Sequence, residues 1–471
     1  MMLSRIIDGG LFRDKIGTRK GIVQASLEGA FEEPGCPMCR LLLKQEERWL
    51  TVILAESVVD LGIRRRIGAS WGFCRRHAWA MAARTDLGGP LATAIIYESL
   101  ASLLLQHCQV SLQARNGSNH IAMGHPGNLD AAVPGHGCPA CAARAGIERN
   151  YVNSFIRYCR VDSFVRRYQE SDGLCLAHLD QVLALAGPRE RDMLLADKAA
   201  KLETSLQAPV VSSPPPQYMM AAPPEVGHRL GLLMGPPPFF PGSLDHVRYV
   251  QPWAREWKMT DGRDEACRAC TLEREAEQQQ LETLLAPDAA KNGDVLWLCS
   301  DHAWKLYALS LRRLRQASID QWSRRWAQAA AGELRLLVSG AGSSAHTWAL
   351  LPRNRHSPRP TAEIIHSCSI CAAQARIVDG WIAQELSLLA QKPESEATLA
   401  EVCLPHAQAL LRKAPPEAAG TVRRRQLARL QGLQEELALY IHKVNWDHRD
   451  EAWGPERDSW WRIVRFFVGD E

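Results

Sequence analysis

The chain has 471 residues, 46% of them hydrophobic and 23% charged, the proportions of an ordinary globular protein with enough chain for about two to four cored domains. A net charge of only +4 excludes the strongly basic surface of a dedicated nucleic-acid protein and the acidic block of a solvating tail, and nominates no partner. The stretch before Ile22 has no apolar run long enough for a signal-peptide core, and no later window reaches the roughly 18 uninterrupted apolar residues of a membrane helix. No membrane association and a cytoplasmic location are therefore expected.

Twelve of the fourteen cysteines fall into one pattern used four times: C-x-x-C, a gap of about thirty residues, then C-x-x-H. An N-terminal segment and the first repeat occupy residues 1–115, with Cys36, Cys39, Cys74 and His77. Leu43, Leu50, Leu54 and Val58 mark one face of a helix after the first pair. A polar break at residues 116–137 leads to the second repeat, residues 136–205, with Cys138, Cys141, Cys175 and His178. Residues 206–263 are rich in proline and are expected to be an extended, semi-rigid linker unable to join a helical core.

The third repeat, residues 264–340, carries Cys267, Cys270, Cys299 and His302, and Ile319, Trp322, Trp326 and Ala330 repeat the helical spacing. A second polar break over residues 340–361 precedes the fourth repeat, residues 362–445, with Cys368, Cys371, Cys403 and His406 and the apolar ladder Leu427, Leu430, Leu433, Leu437 and Ile441. The last stretch, residues 446–471, is Trp-rich. Its short helix carries Trp461, Val464, Phe467 and Val468 along one stripe, which is expected to dock back on the protein rather than await a partner. No alternating β pattern occurs, so the fold class is all-α: four helical-hairpin repeats in two halves joined by the Pro-rich linker.

Each quartet supplies three thiolates and one imidazole, the ligand set of a tetrahedral, closed zinc site. About four Zn per chain are expected, each complete within its own repeat and clamping the two ends of a hairpin. C-x-x-C is expected to open a helix of about 16 residues, roughly 24 Å long, with the remaining residues bringing the chain back. Ligands at i and i+3 share a face of a helical first turn, where the positive N-terminal dipole favours thiolate. Trp79 and Trp304, two residues after a histidine, are placed to cover a metal site. His136 and His366 are read as loop residues, and Cys108 and Cys159 as core.

The residues Cys36-Pro37-Met38-Cys39, Glu56 to Asp60 and Gly72-Phe73-Cys74-Arg75-Arg76-His77, with the closing run Glu451 to Trp460, resemble an uncharacterised bacterial family, a domain of unknown function with a Cys-Pro-x-Cys, helix, Gly-Phe-Cys-x-x-His pattern. The resemblance implies metal-binding cysteines and histidines and brings no activity. With no open metal position, phosphate loop, dinucleotide fingerprint or nucleophile elbow, the expected role is a non-enzymatic scaffold or adaptor with a protein partner and weak or no nucleic-acid binding. A nucleic-acid-binding or regulatory zinc protein is the alternative, and a metal-dependent hydrolase or thiol redox enzyme comes third.

Overall fold

The computed structural model describes residues 21–84, 88–117, 137–208, 224–235, 267–287, 289, 296–339, 368–391, 402–448 and 450–470. His136, His366 and residues 209–223 and 236–263 of the Pro-rich stretch lie outside them. The regular structure is helical, with no strand among the described residues, so the fold is all-α. The apolar ladders explain why. Ile319, Trp322, Trp326 and Ala330 are buried along the helix Gln316–Val338, as are Leu430, Leu433 and Leu437 along Pro416–Val444, one stripe per helix facing a core. In the first repeat Leu50 and Leu54 are buried, while Val58 falls past the end of Pro37–Glu56.

Two compact units divide the chain, and each is built from three separated segments. Unit one takes residues 1–46, 143–238 and 275–374; unit two takes residues 47–142, 239–274 and 375–471. The sequence suggested halves lying before and after the Pro-rich stretch. Instead the unit boundaries near residues 46, 142, 274 and 374 fall inside the four helices that begin at the C-x-x-C pairs, Pro37–Glu56, Pro139–Tyr158, Arg268–Leu284 and Ser369–Gln391.

Within unit one, the long helices Pro188–Gln207 and Gln316–Val338 pack along each other. The helix Pro224–Met234 lies against both, and against the short helices Leu176–Leu183 and Ser300–Arg312. Trp322 and Trp326 stack at 5.9 Å between ring centroids, and their indole N–H groups donate to the carbonyls of Leu284 at 2.9 Å and Leu296 at 2.8 Å. Pro224–Met234 corrects the reading of residues 206–263 as wholly extended. Val226, Leu230 and Leu233 are fully buried, and Arg229, also fully buried, donates to Ser323 Oγ, the Ser205 carbonyl and the Asp320 carboxylate. Pro224 occupies the first turn, where its missing N–H has no partner to lose, so proline here starts a helix.

Unit two repeats the arrangement. Gly89–Gly117 and Pro416–Val444 pack together, and Ser459–Val468 lies against both and against the short helices Arg75–Ala82 and Leu404–Lys413. Trp460, Ile463, Val464, Phe466, Phe467 and Val468 are buried, and Phe467 meets Tyr97 edge-on at 5.4 Å. The C-terminal stripe therefore docks internally. Ahead of it, buried Glu456 accepts from Lys443 Nζ at 2.7 Å and from the Gly454 N–H at 2.8 Å, fixing the turn that brings the last helix back. The stretch Gly89–Cys108 is long and apolar enough to cross a membrane, but Ala94, Tyr97, Leu100, Ala101 and Leu104 are buried in unit two, the burial a core helix requires. Cys108 and Cys159 are buried, in keeping with core roles, and burial pushes the Cys159 thiol up to about 12.

Because Phe467 is fully buried and touches Tyr97, Phe467→Ala should cost about 3–5 kcal/mol. Chemical denaturation of the full chain should show the loss in the transition that reports unit two. An unchanged midpoint would mean that the last helix does not close that core.

Candidate metal centres

The sixteen ligand candidates do gather into four quartets, but not within the repeats. Cys36 and Cys39 meet Cys175 and His178; Cys74 and His77 meet Cys138 and Cys141; Cys267 and Cys270 meet Cys403 and His406; Cys299 and His302 meet Cys368 and Cys371. Each C-x-x-C thus joins the C-x-x-H of the neighbouring repeat, and the expected within-repeat pairing is corrected. The reason lies in helix rise. Pro37–Glu56 and Pro139–Tyr158 each have 20 residues and carry the chain about 30 Å. The nine-residue helices that follow, Leu61–Ala69 and Asp162–Glu170, recover less than half of that. The third cysteine is left away from the first pair and meets the C-x-x-C of the neighbouring repeat instead.

Every quartet is built from two helix N-termini. Cys36, Cys138, Cys267 and Cys368 each accept the first intrahelical bond through their carbonyls, as do Cys74, Cys175, Cys299 and Cys403. In the second set the cysteine is the N-cap residue, with φ between −65° and −70°, and its thiol makes no capping hydrogen bond. The sulfur is free to point at a shared ion, and the second ligand, three residues on, sits on the same face of the first turn. Two helix dipoles aim their positive ends at one cluster, which stabilises the excess negative charge of three thiolates around a divalent ion. The apolar residue before each C-x-x-H, Phe73, Leu174, Leu298 or Val402, is buried and anchors that turn in the core.

The spacing fits a metal. Sulfur–sulfur contacts run from 3.6 Å for Cys39–Cys175 to 3.8 Å for Cys270–Cys403 and Cys299–Cys371. Each histidine turns Nδ1 toward all three sulfurs, for His77 at 3.1, 3.4 and 3.6 Å. A tetrahedron with metal–sulfur bonds of about 2.3 Å and metal–nitrogen bonds of about 2.0–2.1 Å has edges of about 3.8 and 3.6 Å. A disulfide would hold its sulfurs at about 2.05 Å. None of these twelve cysteines is joined in a disulfide.

Protons report the same crowding. Burial pushes the Cys36 thiol up, and contacts with Cys175, Cys39 and His178 more than reverse this, so it is held well below the usual range. Its neighbour Cys39 is driven up by Cys175, by Cys36 and by burial. Cys138 is drawn down to about 3 by Cys141 and Cys74. Burial lowers the imidazoles, yet the surrounding thiolates and a carboxylate outweigh it and raise His302 to about 11 and His406 to about 12. Crowded thiols and a raised imidazole of this kind are what a divalent ion would relieve by taking the thiolates as ligands.

Three carboxylates that the ligand spacing did not reveal stand beside the imidazoles. His178 Nε2 lies 3.0 Å from Glu148, His302 Nε2 lies 2.9 Å from Glu277, and His406 Nε2 lies 3.6 Å from Glu273. Against the cost of burial, the hydrogen bond and charge of His178 bring Glu148 down to about 2, and His302 with Lys305 does the same for Glu277. A carboxylate at Nε2 fixes the tautomer that leaves Nδ1 for the metal. Glu148 and Glu277 stand seven residues after Cys141 and Cys270, and Glu46 holds the same place after Cys39. That heptad offset was the available signal. Fully buried Lys198 feels the Cys175 and Cys36 thiolates, although burial brings it down to about 8, and adds positive charge beside the first quartet.

Two glycines complete the sites. The helix Pro224–Met234 ends at Gly235 and Ser459–Val468 at Gly469, with φ of +80° and +83°, positive values that glycine adopts without steric cost. A Cβ on Gly235 would stand 2.8 Å from Cys39 Sγ, and one on Gly469 would stand 3.0 Å from Cys270 Sγ. Trp304 Nε1 donates to the Gly235 carbonyl at 3.1 Å, and Trp79 Nε1 donates to the Gly469 carbonyl at 3.2 Å. Each tryptophan follows the histidine of one quartet and holds the glycine pressed on the other quartet of the same unit. The two tryptophans thus link a pair of sites.

The chain belongs to a family of unknown function, DUF6062, whose profile matches residues 19–204 and 259–471. No curated protein and no solved structure matches it.

The exchanged pairing separates two double variants. Cys36→Ser with Cys175→Ser removes ligands from one quartet and should lower the metal content by about one ion per chain, whereas Cys36→Ser with Cys74→Ser should lower it by about two. Elemental analysis decides, and the reverse order would restore pairing within the repeats. Gly469→Ala should weaken metal retention at the Cys267, Cys270, Cys403 and His406 quartet, read as faster transfer of about one ion to a chromophoric chelator. Unchanged transfer kinetics would remove the glycine from the site.

Proposed function

We propose that the four quartets hold zinc as a structural metal and that the chain is a non-enzymatic helical scaffold or adaptor for a protein partner in the cytoplasm. The observation that carries this reading is that each cluster supplies four ligands at tetrahedral-edge spacing, which leaves no coordination position for substrate or a reacting water. Thiolate-rich sites with one imidazole suit zinc better than hard oxygen-seeking cations. Fourteen free cysteines accord with a reducing compartment. Near-balance of 56 basic against 52 acidic residues favours a protein partner over nucleic acid.

The purified full-length protein should contain about four zinc ions, and their removal should unfold it, because binding of about 10–16 kcal/mol per structural site is folding energy in such domains. Zinc added to metal-free protein near neutral pH should release protons, since three thiols per quartet, protonated at that pH in an unfolded chain, bind the ion as thiolates. Retention should therefore weaken on acidification. One zinc or none, with thiols recovered as disulfides, overturns the metal reading. A native pull-down at physiological and raised salt tests the partner: a salt-resistant protein complex supports the scaffold, and tight, steeply salt-dependent nucleic-acid binding replaces it.

A further inference from the structure

A fifth group of ligands stands apart from the closed quartets. His442 lies in the last turn of Pro416–Val444, His448 in the short 3-10 helix Trp446–His448, and Glu451 just beyond. Their nitrogen and carboxylate ligand atoms all lie within 4.8 Å of one another. Glu451 Oε1 is 2.8 Å from His448 Nδ1 and 3.8 Å from His442 Nε2, and the two imidazole rings lie 3.7 Å apart at 34°. The backbone builds this convergence in steps of three: Asn445 N–H donates to the His442 carbonyl, His448 N–H to Asn445, and Glu451 N–H to His448, at 3.1, 3.0 and 3.0 Å. The adjacent cation, Lys443, is already engaged by the Ala452 carbonyl and Glu456, each at 2.7 Å. Glu451 thus faces the two imidazoles and not that lysine.

We propose that His442, His448 and Glu451 form an open site for a divalent first-row transition metal, with water completing the coordination. Two imidazoles and one carboxylate select zinc, nickel, copper or cobalt over magnesium and calcium. Side-chain exposures of 50%, 35% and 43% make this site unlike the four quartets: the ion would be exchangeable and accessible to solutes. It would also clip the end of Pro416–Val444 to the turn leading to Ser459–Val468, the helix whose Gly469 presses on the Cys270 sulfur.

The proposal does not depend on what fills the quartets, and the test keeps the two apart. Tag-free full-length protein is first analysed for its resident metal, then titrated with nickel chloride by calorimetry beside the His442→Ala/His448→Ala double variant and Glu451→Gln. The expected result is one additional equivalent of nickel in the wild type, lost in the double variant and weakened in Glu451→Gln, with resident metal and helical circular dichroism unchanged. No additional equivalent in the wild type, or the same equivalent in both variants, overturns the site and leaves the trio as a histidine–glutamate ion pair. Glu451→Gln keeps the shape of the turn, so it remains decisive if the double variant folds poorly.

Discussion

The rise of an α-helix governs how this chain closes on its metal ligands. Twenty residues between proline and the helix end commit about 30 Å of travel, and the short helix that follows recovers only part of it. A C-x-x-C pair and the next C-x-x-H lie apart, and each is completed by a neighbouring repeat. Exchange satisfies both ends: in each half of the sequence two repeats donate to two quartets, one belonging to unit one and one to unit two. Ligands 136 to 142 residues apart are brought together at the first quartet. Closing a loop of this length carries an entropic cost that grows only slowly with length, and an ion bound at the quartet would offset part of it.

The residue types that bear on metal were legible because coordination chemistry demands them. Three thiolates and a histidine at i, i+3 offsets, repeated four times, leave little else to read, and the proline or N-cap position beside each pair marks a helix start. The pairing was not legible. Both arrangements use identical ligands and identical local spacing, and they differ only in where long helices stop. The ladder through Leu50 and Leu54 announced a helix after Cys39, but not that it would run for 20 residues.

Other gaps have equally physical causes. The proline density around Pro224 spoke for an extended segment, whereas Val226, Leu230 and Leu233 form a helical stripe only 11 residues long, too short to stand out from its surroundings. The C-terminal stripe carries a much stronger apolar pattern, and its docking could be read from Trp461, Val464, Phe467 and Val468. Gly235 and Gly469 gave no signal of their own, since a glycine after an apolar helix is an ordinary stop. What makes them part of the site is the absence of a side chain where a sulfur lies within 3 Å of the place a Cβ would take.

The tryptophan and glycine pairs carry the consequence furthest. In unit one, Trp304 leaves the turn that holds His302 and fixes Gly235 against Cys39 and Cys175; in unit two, Trp79 leaves the turn of His77 and fixes Gly469 against Cys270 and Cys403. A hydrogen bond of this kind contributes only about 0.5–1.5 kcal/mol in net terms, too little to hold a site by itself. Its effect is geometric. The helix that ends at the glycine also packs on both C-x-x-H helices of its unit, so displacing one quartet's first turn shifts the surface against which the other quartet's sulfurs rest. Two clusters that share a wall in this way are mechanically coupled, and the pairing recurs in both units although the segments that build them are different.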